Sequence, residues 1–422
     1  MLAIRDALDR CLQYTLAVHP ETIPLAAAGA RILAADVCAP VGLPPWDNSA
    51  MDGYALGRAG VDESSCDAPS TDDYTVGPLP VVEVIPAGYA PQQTLQPGEA
   101  ARIFTGAPVP EGAVSVVIQE ETDRGVDQVR LRSLPRPGAN IRRAGEDVSQ
   151  GDVVARRGEV LTAARLGLLA ALGLSEVTVA RKPRVAIVST GDEVIPAGTP
   201  LGPGQIYSSN TAQLARLIEE SGGIPVDCGI APDTLEGVRA AFLRALDADL
   251  IVTTGGVSVG DFDVVREAMA DLGAEMTFWK VRIKPGKPLA HGVIGGVPCF
   301  GLPGNPVSCF VNFLAFVRPV IRASLGAQKP HLPVWKAILD TPLRKRAGRA
   351  DFQRVHIHWG DDHQLHATSA GPQGSHVLST LSRAEALALL EPESSGAAVG
   401  DRIPVMVFEP GELATTHPGY DY

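Results

Sequence analysis

The sequence predicts an α/β multidomain protein, and three observations carry that prediction. Apolar strands alternate with helices between residues 183 and 327, and β-like runs dominate residues 44–140 and 328–422. Of the 422 residues, 45% are apolar and 20% charged, a globular composition with material for several cores. At about 150 residues per domain as a soft prior, roughly three domains are expected.

The elements follow in chain order. Ile4, Ala7, Leu8, Cys11 and Leu12 recur at helical spacing, so residues 4–18 read as an amphipathic helix. A Pro-rich stretch occupies 40–45. Short β-like runs then appear at 81–85, 114–119 and 128–132, separated by Pro and Gly turns. The polar insert of 62–75 lacks any core pattern and reads as a mobile loop. The Ala/Leu pattern of 162–172 reads as a helix closed by Gly173.

Strands at 185–189, 224–228 and 250–254 alternate with helices at 211–220, 234–246 and 262–272. Extended runs at 276–283, 289–294 and 298–302 lead to a helix from Pro306 to about Leu325. This alternation implies a three-layer unit, a mostly parallel sheet covered on both faces. The last segment has strands at 334–339, 352–359, 364–368 and 403–408 around one Ala/Leu helix near 382–390, which suggests a small β-barrel or sandwich.

Several classes fall away. With 36 Lys plus Arg against 48 Asp plus Glu, the formal charge is -12, which argues against a nucleic-acid binder relying on a general basic field. An anionic small ligand in a local site remains compatible. No apolar run reaches the roughly 18 residues of a membrane span. The start, Met1 to Asp6, lacks the basic and apolar regions of a secretion signal. Cys11, Cys38, Cys66, Cys228, Cys299 and Cys309 are scattered with no Cys-x-x-Cys pair. That pattern predicts reduced thiols in a cytoplasm rather than a zinc site or disulfide framework.

Ligands of open α/β sheets bind beyond the C-terminal ends of the strands, and three such ends carry unusual loops. They are Ser189-Thr190-Gly191-Asp192-Glu193, then residues 253–263 with Gly255, Gly256, Ser258 and Gly260, and Gly301-Leu302-Pro303-Gly304-Asn305-Pro306. Asn305 is placed to N-cap the following helix with Pro306 in its first position. Glycines let the backbone approach an anion, and a helix N-terminus adds a favourable dipole. Lys284 and Lys287, on a Pro-Gly turn, add two ammonium groups, so a phosphorylated ligand is expected. Asp192, Glu193, Asp233, Asp261 and Asp263 offer hard oxygens suited to Mg²⁺. Each also has a structural reading: Asp233 with Glu236 forms a capping-box pattern, and Asp261 and Asp263 suit a helix start.

Other features weigh less. There is no Gly-x-Ser-x-Gly elbow beside Ser258 and no Walker run. His356, His358, His363 and His366 cluster in the C-terminal β region; alternate spacing puts His356 and His358 on one strand face, as metal ligands or as ordinary surface histidines. Arg344, Lys345, Arg346 and Arg349 read as a solvated turn.

The segment Pro44-Pro45-Trp46-Asp47-Asn48-Ser49-Ala50-Met51-Asp52-Gly53-Tyr54-Ala55 resembles the signature of the molybdopterin molybdenumtransferase (MoeA) family, which includes the E domain of gephyrin. Further matches follow in family order at 105–108, 145–148, 189–193, 206–210, 255–263, 284–288 and 302–308, spanning nearly the whole chain.

The resemblance implies four domains: a split domain of 1–43 and 141–182, a β-rich lid of 44–140, the α/β molybdopterin-binding domain of 183–327, and a C-terminal β-barrel of 328–422. It implies a cytoplasmic homodimer whose active site joins one subunit's lid to the other's α/β domain. Transient contact with molybdopterin adenylyltransferase and molybdoenzyme-maturation proteins is implied too, without nucleic acid or membrane. The implied reaction converts adenylylated molybdopterin and molybdate, with Mg²⁺, to molybdenum cofactor and AMP.

Carried across by motif, the catalytic positions are Asp52, Thr105, Asp147, Glu193, Asp233 and Asp263, with Glu193, Asp233 and Asp263 as the metal set. Thr190, Gly191, Gly255, Gly256, Ser258, Gly260, Lys284, Lys287, Pro303, Gly304, Asn305 and Pro306 would bind the substrate. Three features depart from the family pattern: Ser208 where Asp or Asn is usual, Val114 in place of an Asp, and a long lid insert near 58–78. Competing readings are a molybdopterin adenylyltransferase, whose fold resembles residues 183–327, and a gephyrin-like scaffold. Tungstate in place of molybdate is a third.

Overall fold

The structure is a computed structural model that describes residues 1–58, 74–256 and 264–409. Most of the 62–75 insert, together with Ser258, Gly260, Asp261 and Asp263, lies outside the described residues.

The α/β unit is built on a six-stranded sheet in the order Ile224–Ala231, Arg184–Thr190, Leu250–Thr254, Val297–Leu302, Pro288–Ile294, Glu275–Lys280. The first four strands run parallel, and the last two form antiparallel pairs. Side chains alternate between two cores, as period two requires. Val185 and Ile187 pack on one face with Leu214, Ile218, Val311 and Phe313, whereas Ala186 and Val188 pack on the other with Val238, Phe242, Val265 and Met269. Helices Ser209–Ser221 and Pro306–Ser324 therefore cover one face, and Leu235–Ala245 and Val264–Asp271 the other. The three-layer expectation holds.

Helix Pro306–Ser324 is long and apolar enough to cross a bilayer by length and composition, yet 78% of its apolar window is buried inside the protein. It is a core helix, with one π-type stretch at Phe313–Val317.

Five expectations are corrected. The N-terminal helix ends at Leu12 instead of 18, and Leu16 donates its N–H to Ser324 Oγ, tying the following segment to the core helix. The extended run of 276–283 splits: Glu275–Lys280 joins the α/β sheet, while Ile283–Lys284 pairs with the strand Ala350–Trp359. The helix expected near 382–390 is a strand, Ala386–Leu390, preceded by the short helix Leu378–Leu381. Strands on both sides supply hydrogen-bond partners there, so tertiary pairing overrides the helix propensity of Ala and Leu. The fourth and fifth concern Asp233 and Asn305 and are given with the site.

The β-rich segment forms a five-stranded sheet in the order Ala113–Ile118, Gly53–Gly57, Ala100–Ile103, Val76–Ile85, Gln128–Leu131. Gly53 is required in it, because a β-carbon would lie 1.8 Å from the Val117 carbonyl oxygen. A separate core gathers Leu25, Ala28 and Leu33 with Ala155, Leu161, Leu169 and Val177, so residues before and after the β-rich segment pack together. In the C-terminal part, Ala350–Trp359, Leu365–Ser369, Val334–Leu339, Arg402–Val407 and Ala386–Leu390 pair in that order. The last strand returns to the first, which closes a five-stranded barrel.

Candidate active site

A cavity of about 540 Å³ opens where strands Arg184–Thr190, Leu250–Thr254 and Val297–Leu302 end. Thr190, Gly191, Glu193, Asp233, Gly255, Gly256, Pro303, Gly304, Asn305 and Pro306 line it, so ten of the residues expected from sequence share one site. It sits at the C-terminal strand ends, where parallel sheets leave room for ligands.

Two glycines shape the floor. Gly255 has φ +94° and Gly256 φ +63°, and β-carbons there would lie 2.4 Å from the Thr190 carbonyl oxygen and 2.5 Å from a Val265 methyl. Neither position accepts a side chain without moving the loop. Asn210 joins the loops: its Nδ2 donates to Thr254 Oγ1 at 2.7 Å and to the Gly304 carbonyl at 2.8 Å, and Thr254 Oγ1 donates to the Pro303 carbonyl at 3.3 Å. Helices Ser209–Ser221 and Pro306–Asn312 both begin at the cavity, with Ser208 and Asn305 as their N-cap residues. Neither residue makes a side-chain capping bond, contrary to the capping role expected of Asn305. Two helix starts at one cavity favour an anionic ligand.

The capping-box expectation for Asp233 is overturned. Thr234 is the N-cap of Leu235–Ala245, and its hydroxyl accepts the Gly237 N–H at 3.1 Å. Asp233 instead faces Asp192: the Asp233 N–H donates to Asp192 Oδ1 at 3.0 Å, and the Asp192 N–H to Asp233 Oδ2 at 3.4 Å. Burial, with added repulsion from Asp192 and Glu193, raises the Asp233 carboxyl above its ordinary pKa. Negative charge is under-compensated here, which suits a bound cation.

Neither Lys284 nor Lys287 lines the cavity, although Pro288, next in sequence to Lys287, does. Lys284 Nζ pairs with Asp351 Oδ2 at 2.9 Å, a carboxylate only 2% exposed. The turn after it is clamped by the buried Asn312, whose Nδ2 donates to the Gly286 carbonyl at 3.0 Å. A β-carbon at Gly286 would lie 2.5 Å from Asn312 Oδ1.

Asp52, Thr105 and Asp147 do not line this cavity. Asp52 Oδ1 accepts the Thr105 N–H at 2.8 Å and its hydroxyl at 2.7 Å, and these bonds hold the half-buried residue's carboxyl below its usual pKa. Asp147 is exposed on a turn whose N–H donates to the Leu43 carbonyl at 3.0 Å. Ser258, Gly260 and Asp263 lie outside the described residues.

Three contributors were missed as site residues. Asn210 lies within the 206–210 match, but its bridging role depends on distant partners. Tyr207 and His376 also line the cavity. His376 arrives on a loop held by the buried Arg354, whose Nη2 donates to the Pro372 and Gly374 carbonyls at 2.7 and 3.1 Å. Nothing in the local sequence around His376 signals this.

A mostly parallel α/β domain with glycine loops, two helix starts and acidic groups at one cavity defines the class: an α/β protein whose candidate active site lies at its strand ends. The family described as a probable molybdopterin binding domain matches residues 186–323. Flanking matches are the MoeA N-terminal region (domain I and II) over 2–173 and the MoeA C-terminal region (domain IV) over 336–408. Molybdopterin molybdenumtransferase 2 of Mycobacterium tuberculosis is 43% identical over 92% of this chain and 95% of its own length. Molybdopterin molybdenumtransferase of Haemophilus influenzae is 37% identical over 97% and 99%. A molybdopterin biosynthesis MoeA protein from Pyrococcus horikoshii superposes with TM-score 0.81 at 29% identity, covering 97% of this chain and 100% of that one. The chain belongs to the molybdopterin molybdenumtransferase (MoeA) family, transferases of molybdenum cofactor biosynthesis.

Proposed function

We propose that this protein inserts molybdate into adenylylated molybdopterin and releases AMP in a Mg²⁺-dependent step. The observation that carries the reading is the juxtaposition of Glu193 and Asp233 with the glycine loops and both helix starts around one cavity. Glycine backbone and helix N-termini suit a pyrophosphate. Carboxylate oxygens are the donors Mg²⁺ takes, and the raised Asp233 pKa fits a site completed by a cation.

Glu193 and Asp233, with Asp263 as the family resemblance implies, would hold the ion, and Asn210 ties the loop after Thr254 to the one around Gly304. Once bound, Mg²⁺ neutralises charge on the phosphoanhydride. Lys287, next in sequence to the cavity-lining Pro288, would supply a cationic donor for an oxyanion such as molybdate. An adjoining cavity of about 860 Å³, with Ile187, Pro196, Ala215 and Ile230 in its wall, offers an apolar surface for a ring of the substrate.

The reading includes a homodimer in which the partner's lid, carrying Asp52 and Thr105, completes the cavity together with Asp147 of the adjoining split domain. Exposed Trp46 and Met51 in the signature segment, 52% and 44% accessible, support a subunit contact there. A cytoplasmic location and passing contacts with the adenylyltransferase that supplies the substrate belong to the same reading.

The test is AMP release from adenylylated molybdopterin with molybdate, with tungstate, and with no oxyanion, beside an arm containing ATP and free molybdopterin. Oxyanion-stimulated AMP release supports the proposal. ATP consumption in the last arm with none in the others would reject it in favour of an adenylyltransferase, and binding of the adenylylated substrate without AMP release in any arm would reject it in favour of a scaffold.

A further inference from the structure

The barrel carries a second cluster of chemistry-bearing side chains, separate from the cavity. His358 and His366 are directly opposite one another on antiparallel strands Ala350–Trp359 and Leu365–Ser369. Asp340 follows strand Val334–Leu339, and its N–H donates to the Ala367 carbonyl at 3.0 Å, which seats its side chain beside the pair. One donor atom from each of the three residues lies within 4.8 Å of the other two. His366 Nδ1 is 2.7 Å from Asp340 Oδ1, and His358 Nε2 is 3.5 Å from Asp340 Oδ2. Donors about 2.0–2.1 Å from a tetrahedral Zn²⁺ stand roughly 3.3 Å apart, so small side-chain shifts would bring this set into range. His356, expected to share any ligand set with His358, is instead engaged by Glu385 at 3.3 Å.

We infer that Asp340, His358 and His366 form a site for a divalent transition-metal ion of the Zn²⁺ class on the barrel surface. Two further observations point the same way. His366 Nε2, the nitrogen facing away from Asp340, meets Asp362 Oδ1 at 3.1 Å. Metal-bound imidazoles are oriented in this way, by a carboxylate on the second ring nitrogen. Gly360 leaves room for that arrangement, because a β-carbon there would lie 2.7 Å from His366 Nε2 and 2.8 Å from Asp362 Oδ1. Two imidazoles and one carboxylate suit Zn²⁺ better than Mg²⁺, and an exposed fourth position remains for water. The ion would tie three strands of the barrel together.

The experiment is Zn²⁺ titration by calorimetry, with Co²⁺ absorption as a coordination probe, on the untagged full-length protein. One ion per chain is expected in this site. His358→Gln and His366→Ala should each weaken binding at least tenfold, Asp362→Asn by about tenfold, and His356→Ala not at all. Zn²⁺ should raise the melting temperature of the wild type and of His356→Ala, but not of His358→Gln. Absence of stoichiometric binding overturns the inference, and so does binding unchanged in both His358→Gln and His366→Ala. His358 is half exposed, so its replacement leaves the fold intact and keeps the test decisive.

Discussion

At Gly255 the backbone holds φ +94° with the Thr190 carbonyl 2.4 Å from where a β-carbon would sit. Gly255→Ala must therefore move the loop between Thr254 and Gly256 or strain it, at a cost of about 1–3 kcal/mol. Chemical denaturation should show that loss, and AMP release should fall further than stability does, because the loop faces the ligand. Asp233 yields a pH prediction. Its pKa is raised by burial and by Asp192 and Glu193. Below the ordinary carboxylate range the group is protonated in both folded and unfolded chains and costs nothing. Above the raised pKa it is ionised in both and its full penalty applies, so stability falls as pH rises through that window. Mg²⁺ should remove the penalty. Melting curves with Mg²⁺ and with EDTA should diverge as pH rises through the window, and the Mg²⁺ needed for half-maximal AMP release should increase as pH falls through it.

Among the elements, the start of helix Leu235–Ala245 sets the cap residue, Thr234, beside the cavity-lining Asp233. Thr234→Ala removes the cap bond to Gly237 and should cost about 1 kcal/mol of stability, measured by denaturation, while leaving Asp233 in place. The strand and helix alternation of the α/β unit was legible because both faces of the sheet are buried and the helices keep a regular apolar stripe. Strand Leu250–Thr254, buried at every residue, lies where the sequence places it. The run Ala386–Leu390 was not legible, because a short apolar segment fits a buried strand as well as a helix until its neighbours are known. The same holds in the site. Glycine loops announce themselves locally, whereas Asn210 acts through partners 44 and 94 residues away and Lys284 through one 67 residues away. The structural reading of Asp233 as a cap fails for a related reason: the sequence cannot say which of two adjacent residues takes the cap position.

For the molecule as a whole, the separation of Asp52, Thr105 and Asp147 from the cavity makes subunit sharing testable. If the lid of one subunit completes the site of the other, Asp52→Asn and Asp233→Asn chains, inactive alone, should regain part of the wild-type AMP release when unfolded together and refolded as mixed dimers. A mixed dimer would hold one intact site. No recovery would place both residues in one chain's site. The central claim is that the carboxylates at the strand ends serve the reaction rather than the fold, and Asp233→Asn tests it most directly. Measured together, AMP release should drop about 100-fold or more, while the melting temperature stays at or above that of the wild type, since Thr234 keeps the cap and the neutral side chain escapes the charge penalty. AMP release at the wild-type rate, or a loss no greater than the change in stability explains, would contradict the account.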